Sequence, residues 1–250
     1  MRAKHGKALV RVLRCWSKEN SCGIFSVMCG RFTLKSPGRI KFDGLNRSNL
    51  PPLFPRYNIA PSQSVLAIVQ GDETALFQWG LIPSWSNEAK GFINARAETL
   101  EEKPSFSESF QRRRCLIPAD GFYEWKKSGA WKQPYYFQLK DEGPFAFAGI
   151  WDEWPGDETS IASCAIVTTT ANELLEPVHN RMPVILHPES CDAWLSGDSK
   201  VVEMKSLLLP YPALKMKSHP VGSDVNQPKV DGSHLVRRVE ESLGENLKLF

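Results

Sequence analysis

The sequence predicts an α+β fold of mainly antiparallel sheets. Three observations predict it. The 250 residues include 18 Pro and 17 Gly, so turns are frequent and long helices are rare. Short apolar and aromatic stretches fill the middle of the chain, whereas the helical stretches are few and come late. Strands and helices do not alternate in the repeated order that builds a parallel sheet. With 42% hydrophobic residues, the chain can bury the core of one domain or of two small ones.

Eight segments have the composition of strands, and three have the pattern of helices. The predicted strands are residues 65–69, 76–82, 115–117, 122–125, 135–139, 145–151, 164–169 and 183–186. The predicted helices are residues 171–176, 188–195 and 201–208. No apolar run approaches the roughly 20 residues that a membrane span requires. We find no internal repeat and no linker between domains, so these elements are expected to form a single domain.

The two ends of the chain differ from its middle. Residues 1–28 carry six basic residues and one acidic residue, whereas the rest carries 25 basic against 27 acidic, a balance of −2. Binding of nucleic acid by this larger part therefore requires a local basic patch. Arg11 and Arg14 interrupt the apolar stretch of the leader, which makes it a poor secretory signal. We expect residues 1–28 to be a basic leader that is removed or not translated, 29–230 to be the functional domain and 231–250 a peripheral tail.

The cysteines indicate a reducing compartment and give no metal-binding pattern. Six are present and none forms a CxxC pair, which predicts free thiols in the cytoplasm and no metal site. The sequence also lacks a Gly-rich phosphate loop, a GxSxG elbow and an HExxH motif. Common nucleotide-binding, serine-hydrolase and zinc functions are therefore disfavoured.

Four dense blocks remain, at residues 28–32, 91–99, 114–125 and 179–183. Each places a reactive or hydrogen-bonding side chain among Gly, Pro and aromatic residues, where strands end and loops begin. The four side chains are a thiol, an amide, a carboxyl and an imidazole, from Cys29, Asn94, Glu124 and His179. Together they supply a nucleophile, a positioning donor, an acid or base and a proton partner.

Cys29 has special chemistry only if it becomes the first residue, which Met28 as an initiator would allow. An α-amine with a pKa of about 7.7 to 8.0 is roughly one-third neutral near pH 7.5. Such an amine attacks an aldehyde to form a Schiff base, and the neighbouring thiol can close a five-membered thiazolidine on the same carbon. The alternative is an internal, buried cysteine without chemistry.

Each of the other three side chains also has a structural alternative. Strand alternation puts Phe122 and Glu124 on one face, where burial would raise the pKa of the carboxyl. Glu124 could instead be a rim carboxylate paired with Lys126 or Lys127. His179 could be a solvated loop residue, and Asn94 could cap a turn.

Arginines with aromatic neighbours are compatible with single-stranded nucleic acid. The arginines are Arg31, Arg96, Arg112 to Arg114 and Arg181, and the candidate stacking surfaces are Trp79, Trp85 and Trp125. Guanidinium forks bind phosphates and indoles stack on bases. The alternative is that the tryptophans belong to the core.

The blocks, in this order, resemble the SOS response-associated peptidase family, also called abasic-site processing proteins. The resemblance runs from Met28 to about Asn226 and includes residues 57–61, 79–83, 94–99, 115–125 and 179–183. It implies a single α+β domain built on a distorted antiparallel β-barrel with peripheral helices. It also implies a positively charged channel for single-stranded DNA that contains abasic sites.

The resemblance further implies the role of each residue. Cys29 would form a thiazolidine with the aldehyde of an abasic site, which crosslinks the protein to DNA and shields the lesion. Glu124 would shuttle protons, His179 would assist at the sugar oxygen, and Asn94 would lie beside the linkage. The implied phosphate contacts are Arg31, Arg96 and Arg181, and the implied base-wedging residues are Asn58, Pro61 and Trp85.

The same resemblance implies weak abasic lyase activity and self-cleavage that exposes Cys29. We expect a bacterial cytoplasmic monomer, associated with the nucleoid on damaged DNA, that uses no cofactor, metal or membrane. Two alternatives stay open. One is a non-catalytic binder of single-stranded DNA, and the other is a cysteine peptidase that uses Cys29 and His179.

Overall fold

A computed structural model describes residues 29–40, 52–129, 131–156, 159–198 and 200–241. The predicted leader 1–28 and the end of the predicted tail, 242–250, lie outside these residues. The strands are β1 (Phe32–Leu34), β2 (Arg56–Ile59), β3 (Ser64–Ile68), β4 (Thr74–Trp79), β5 (Asn94–Arg96), β6 (Arg114–Ala119), β7 (Gly121–Ser128), β8 (Trp131–Leu139), β9 (Phe145–Trp154), β10 (Ile161–Thr170), β11 (Arg181–Pro183), β12 (Ile185–Leu186) and β13 (Met216–Pro220). The helices are α1 (Ser107–Arg112), α2 (Cys191–Leu195) and α3 (Val201–Ser206). No described helix is long and apolar enough to span a membrane.

The strands form two sheets, and the larger one closes into a barrel. The smaller sheet has the order β13-β8-β7-β1-β2 and is antiparallel throughout. In the larger sheet, β10, β4, β3, β6 and β9 follow one another, and β9 pairs back onto β10. Only the β10–β4 seam of this ring is parallel. The prediction of a single α+β domain on a distorted antiparallel barrel is confirmed.

The core has two main parts. Phe32, Phe122 and Phe137 on the inner face of the smaller sheet pack with Trp79 and Phe147 of the barrel. On another side of the barrel, the three helices bury residues such as Phe110, Trp194 and Met204. Trp79 and Trp194 are fully buried in these clusters, because large rings supply the most apolar area per residue.

Most predicted elements are confirmed, and the differences have local causes. All eight predicted strands overlap observed ones, whereas β1, β2, β5, β13 and α1 were not predicted. The predicted helix at residues 171–176 is wrong, because this segment forms consecutive turns. The side-chain oxygen of Asn172 accepts hydrogen bonds from the backbone N–H groups of Leu174 and Leu175, and Pro177 then prevents the helix from continuing.

Residues 231–241 are packed on the domain, although the sequence suggested a peripheral tail. Asp231 Oδ1 accepts a hydrogen bond from the backbone N of Tyr57 at 2.6 Å. Leu235 is buried against the outer face of the smaller sheet. The backbone N of Val239 donates to the carbonyl of Pro220 at 3.0 Å, so this segment also covers the open edge of β13. An edge covered in this way is protected from pairing with other chains.

Candidate active site

Cys29 lies immediately before β1 and contacts Glu124 on the neighbouring strand β7. Phe32 pairs with Phe122 in this antiparallel ladder, so the residues just before β1 run alongside Glu124. The backbone of Cys29 has a φ of 43°, a left-handed conformation that is uncommon outside glycine. Its nitrogen donates a hydrogen bond to Glu124 Oε1 at 2.5 Å. The nitrogen, the thiol and the carboxyl therefore form one compact group.

A buried polar network fixes β1 against the start of β7. Thr33 Oγ1 donates to Asp120 Oδ1 at 2.7 Å, and the backbone N of Ser36 donates to Asp120 Oδ2 at 2.8 Å. The hydroxyl of Tyr136 lies 2.0 Å from where a Cβ of Gly121 would stand, so only glycine fits there. Because β1 and β7 are held at this point, the positions of Cys29 and Glu124 are coupled.

Glu124 is a buried carboxyl poised between its two protonation states. It is 1% exposed, and this burial raises its pKa to about 7, against the opposing effects of hydrogen bonds from Cys29 and Trp125 and of the charge of Lys132. Near neutral pH it can both donate and accept a proton. The alternative of a rim carboxylate is wrong, since Lys126 pairs with Glu241 instead, at 3.0 Å.

The thiol of Cys29 is also buried and stays protonated near neutral pH. Burial raises its pKa well above the ordinary value, the neighbouring Glu124 raises it further, and the positive charge of Arg181 opposes both effects. A thiol in this state needs a nearby base before its sulfur becomes a strong nucleophile. Glu124 is the adjacent group that can accept the proton.

His179 lies in the turn between β10 and β11, in the same cavity as Glu124. Its Nδ1 accepts a hydrogen bond from the backbone N of Arg181 at 3.1 Å, which assigns the proton of the neutral ring to Nε2. Burial lowers the pKa of the imidazole, the hydrogen bond with the backbone of Arg181 opposes this effect, and the charges of Arg181, Lys127 and Lys132 add to the lowering. The ring is thus neutral near pH 7 and offers an N–H donor.

The cavity lined by Glu124 and His179 has a volume of about 810 Å³, which is in the range of ligand sites. One wall is the β7–β8 hairpin, with Glu124, Trp125, Lys127, Trp131 and Lys132. The opposite wall is the turn at residues 176–180, and Ser223 and Asn226 complete the lining.

The three predicted phosphate-binding arginines have different surroundings. Arg181 forms a bidentate ion pair with Glu98, at 2.5 and 2.9 Å, and also donates to the carbonyl of Thr168 at 2.6 Å. Arg31 is half-buried and donates to the carbonyl of Val225 at 3.2 Å, and burial lowers its pKa. Arg96 is exposed at the end of β5.

Three other predicted site residues lie outside the cavity of Glu124 and His179. Asn94 begins β5, which lies beside β10. Pro61 is half-buried in the turn after β2, and Trp85 is 60% exposed on the loop after β4. None of these three lines the cavity of Glu124 and His179.

Asn58 has a structural role in this fold. It is 1% exposed, and its amide nitrogen donates to the carbonyls of Gln227 and Val230 at 2.9 and 2.8 Å. The side chain is therefore committed to holding the segment before Asp231, and we leave it out of the proposed DNA surface.

Sequence reasoning did not single out Glu98, Trp131 or Lys132. The run from Trp125 to Lys132 alternates indoles and lysines around a Ser-Gly turn, which is a usable signal for a hairpin that carries both. Within the described ranges, no group of three or more His, Cys, Asp or Glu side chains could hold a metal ion.

A profile of the SOS response associated peptidase (SRAP) family matches residues 28–228. The chain belongs to this family. The match begins one residue before Cys29 and includes Glu124, His179 and the whole cavity lining described above. The segment from 229 to 241, which packs against β2 and β13, lies beyond the SRAP match.

Relatives and solved structures agree with membership of the SRAP family. The abasic site processing protein YoqW of Bacillus subtilis is 43% identical over 84% of this chain and 99% of its own length. The abasic site processing protein YedK of Escherichia coli is 32% identical over 85% of this chain and 100% of its own. A crystal structure of a protein from Bacteroides thetaiotaomicron superposes with a TM-score of 0.74 and 30% identity, covering 84% of this chain and 100% of that one.

Proposed function

We propose that this protein binds single-stranded DNA and attaches covalently to abasic sites through Cys29, which shields the lesion. The observation that carries the proposal is the contact between the Cys29 nitrogen and Glu124, at 2.5 Å, beside the thiol of the same residue. The names of the SRAP relatives, abasic site processing proteins, support a substrate that exposes an aldehyde.

The chemistry requires Cys29 to carry a free α-amine. An acylated nitrogen cannot form a Schiff base, so the acting form lacks residues 1–28. Either initiation at Met28 followed by removal of that methionine, or cleavage before Cys29, produces this form. The left-handed backbone of Cys29 and the adjacent Glu124 favour self-cleavage as the second route.

The proposed reaction begins with the opened abasic sugar. The neutral amine adds to the C1′ aldehyde, and the resulting carbinolamine loses one water to form an imine. The sulfur then adds to the imine carbon, and the thiol proton ends on the nitrogen, which closes the thiazolidine. Glu124 protonates the departing hydroxyl, and in its ionised form it takes the thiol proton and passes it to the nitrogen. A pKa of about 7 suits both transfers.

The other site residues act on the sugar and the strand. The neutral imidazole of His179 donates Nε2–H to the sugar oxygen as the ring opens and closes. Asn94, at the start of β5 and outside the cavity that His179 lines, is placed beside the linkage by the family resemblance alone. The exposed Arg96 contacts a phosphate, and Arg181 exchanges its ion pair with Glu98 for a phosphate of the bound strand. Loss of a C2′ proton from the imine and departure of the 3′ phosphate give a weak lyase side reaction.

Three protein forms test the proposal on a single-stranded abasic oligonucleotide. The form that begins with Cys29 is expected to give a crosslink that survives denaturing gels. Cys29→Ser in the same form keeps the amine, so it is expected to give an imine that borohydride traps but no stable crosslink. The chain that retains residues 1–28 is expected to give neither product.

Mass spectrometry of each form before and after reaction supplies the control, because it establishes which residue is first. An intact oligonucleotide and a tetrahydrofuran analogue have no aldehyde and are expected to give no adduct. A stable crosslink from a chain proven to retain residues 1–28 would overturn the role of the amine. Binding without any adduct in all forms would favour the non-catalytic binder.

A further inference from the structure

The tip of the β7–β8 hairpin carries an unfavourable pair of positive charges. Lys127 lies directly opposite Lys132 in the antiparallel ladder, and neither forms an ion pair with any described residue. Like charges in this position destabilise a sheet. By contrast, the neighbouring Lys126 has its charge balanced by Glu241 at 3.0 Å. Lys127 and Lys132 both line the cavity of Glu124, so an anion in the cavity would relieve their repulsion.

Two indoles on this hairpin wall have different surroundings. The Nε1–H of Trp125 donates to Asn226 Oδ1 at 2.7 Å, which fixes that ring. The Nε1 of Trp131 is shielded from solvent and finds no hydrogen-bond acceptor in the described part of the chain. A buried donor without a partner is unfavourable unless a ligand supplies an acceptor. Trp131 also lines the cavity, so its indole is available to a ligand there.

The hairpin tip lies beside the reacting group rather than at it. Lys127 is three residues beyond Glu124 on the same strand, which is about 10 Å along the sheet. The lysines that line the cavity, Lys127 and Lys132, both belong to the hairpin, whereas the turn before His179 contributes the acidic Glu176. An indole and two lysines that line one cavity match the pairing of stacking surface and phosphate contact that binds single strands.

We propose that Trp131, Lys127 and Lys132 form a subsite for the nucleotide next to the abasic sugar. Trp131 stacks on the base and its Nε1–H donates to an acceptor of that nucleotide, while the two lysines bind its phosphate. This subsite rests on the proposed function, and it makes attachment depend on an intact base at one neighbouring position.

The test combines base removal from DNA with substitution of Trp131. Three oligonucleotides carry a central, unreactive tetrahydrofuran. The first has a base on both sides of it, the second has a base-less spacer on the 5′ side, and the third has a base-less spacer on the 3′ side. Fluorescence anisotropy measures Kd for the form that begins with Cys29, for Trp131→Ala and for Trp131→Phe. Loss of one neighbouring base is expected to weaken binding about 5- to 150-fold in the unaltered protein.

The subsite predicts that removal of the neighbouring base and substitution of Trp131 are not additive in their effects on Kd. Trp131→Ala is expected to bind the full oligonucleotide as weakly as the unaltered protein binds the spacer, and to be insensitive to removal of that base. Trp131→Phe is expected to retain most of the preference. Unaltered protein that binds all three oligonucleotides equally would overturn the subsite, and this arm needs no variant to fold.

The lysines have a matched control on the same strand. Lys127→Ala is expected to make the salt dependence of binding shallower by about 0.7 per lost contact, whereas Lys126→Ala is expected to leave it unchanged. Equal slopes for the two variants would contradict the phosphate contact. Crosslinking to a strand with a reactive abasic site separates the subsite from the proposed function. If the protein crosslinks but its Trp131 variants respond to loss of the neighbouring base as the unaltered protein does, the subsite alone is overturned.

Discussion

Replacement of Glu124 by glutamine is expected to reduce activity and raise stability at the same time. The amide has nearly the same shape and can still accept the hydrogen bond from the Cys29 nitrogen, but it cannot transfer protons. Loss of a general acid–base group typically slows a reaction about 10²- to 10⁴-fold. We therefore expect single-turnover crosslinking to slow by this factor, with little change in the affinity for intact single-stranded DNA.

The gain in stability follows from the buried charge. The pKa of Glu124 rises from an ordinary 4.5 to about 7 in the folded protein, so folding favours the protonated carboxyl. Below about pH 4.5 both states are protonated and the cost vanishes. It grows between pH 4.5 and 7 and is complete above 7, where it reaches about 3 kcal/mol. Glu124→Gln removes this cost.

Urea denaturation at several pH values between 5 and 8 measures the effect on stability, and rapid quenching on denaturing gels measures the rate of crosslinking. The free energy of unfolding of Glu124→Gln is expected to exceed that of the unaltered protein by up to about 3 kcal/mol at pH 8, and by much less at pH 5. Glu73→Gln, at an exposed carboxyl, is the control and is expected to change neither quantity. A variant that is less stable at every pH, or that crosslinks at the normal rate, would refute the reasoning.

Two further predictions concern binding and packing. Arg96→Ala is expected to weaken binding of single-stranded DNA and to make the salt dependence of binding shallower by about 0.7. Arg39→Ala serves as the control, because the Arg39 side chain donates to the carbonyl of Glu142. Equal salt dependences of the two variants in fluorescence titrations would contradict the phosphate contact of Arg96. Asn58→Ala is expected to lower the free energy of unfolding by about 1 to 3 kcal/mol, because the carbonyls of Gln227 and Val230 lose the donor supplied by this buried amide. Hydrogen exchange should then show faster exchange in residues 225–231, and unchanged protection there would contradict the structural role of Asn58.

The long strands were predictable, but the shortest elements were not. Strands β9 and β10 have ten residues each and contain apolar stretches at 145–151 and 164–167, and such stretches are strong local signals. β1 and β5 have three residues each, so only their partners in the sheet stabilise them. The helix predicted at 171–176 failed because the side chain of Asn172 competes for backbone donors, an effect that apolar periodicity does not reveal.

The candidate site divides in the same way. The strand alternation around Glu124 indicated that it could face inward, and the structure confirms its burial. The contact between Cys29 and Glu124 joins residues 95 positions apart, so it depends on strand pairing that no local pattern specifies. Asn58 illustrates the opposite case, because an asparagine between two apolar positions gives no sign that its amide will bind a segment near the end of the chain.

Strands β1 and β2, next to Cys29, are covered by a segment near the end of the chain, which the ribosome synthesises late. Arg31, two residues after Cys29, donates to the carbonyl of Val225 across 194 positions, and Asn58 and Tyr57 bind the segment from 227 to 231. During synthesis the early strands β1 and β2 therefore emerge without the segment that covers them. The contacts that cover β1 and β2 form only once translation has passed residue 231, so an unfinished chain leaves these strands uncovered.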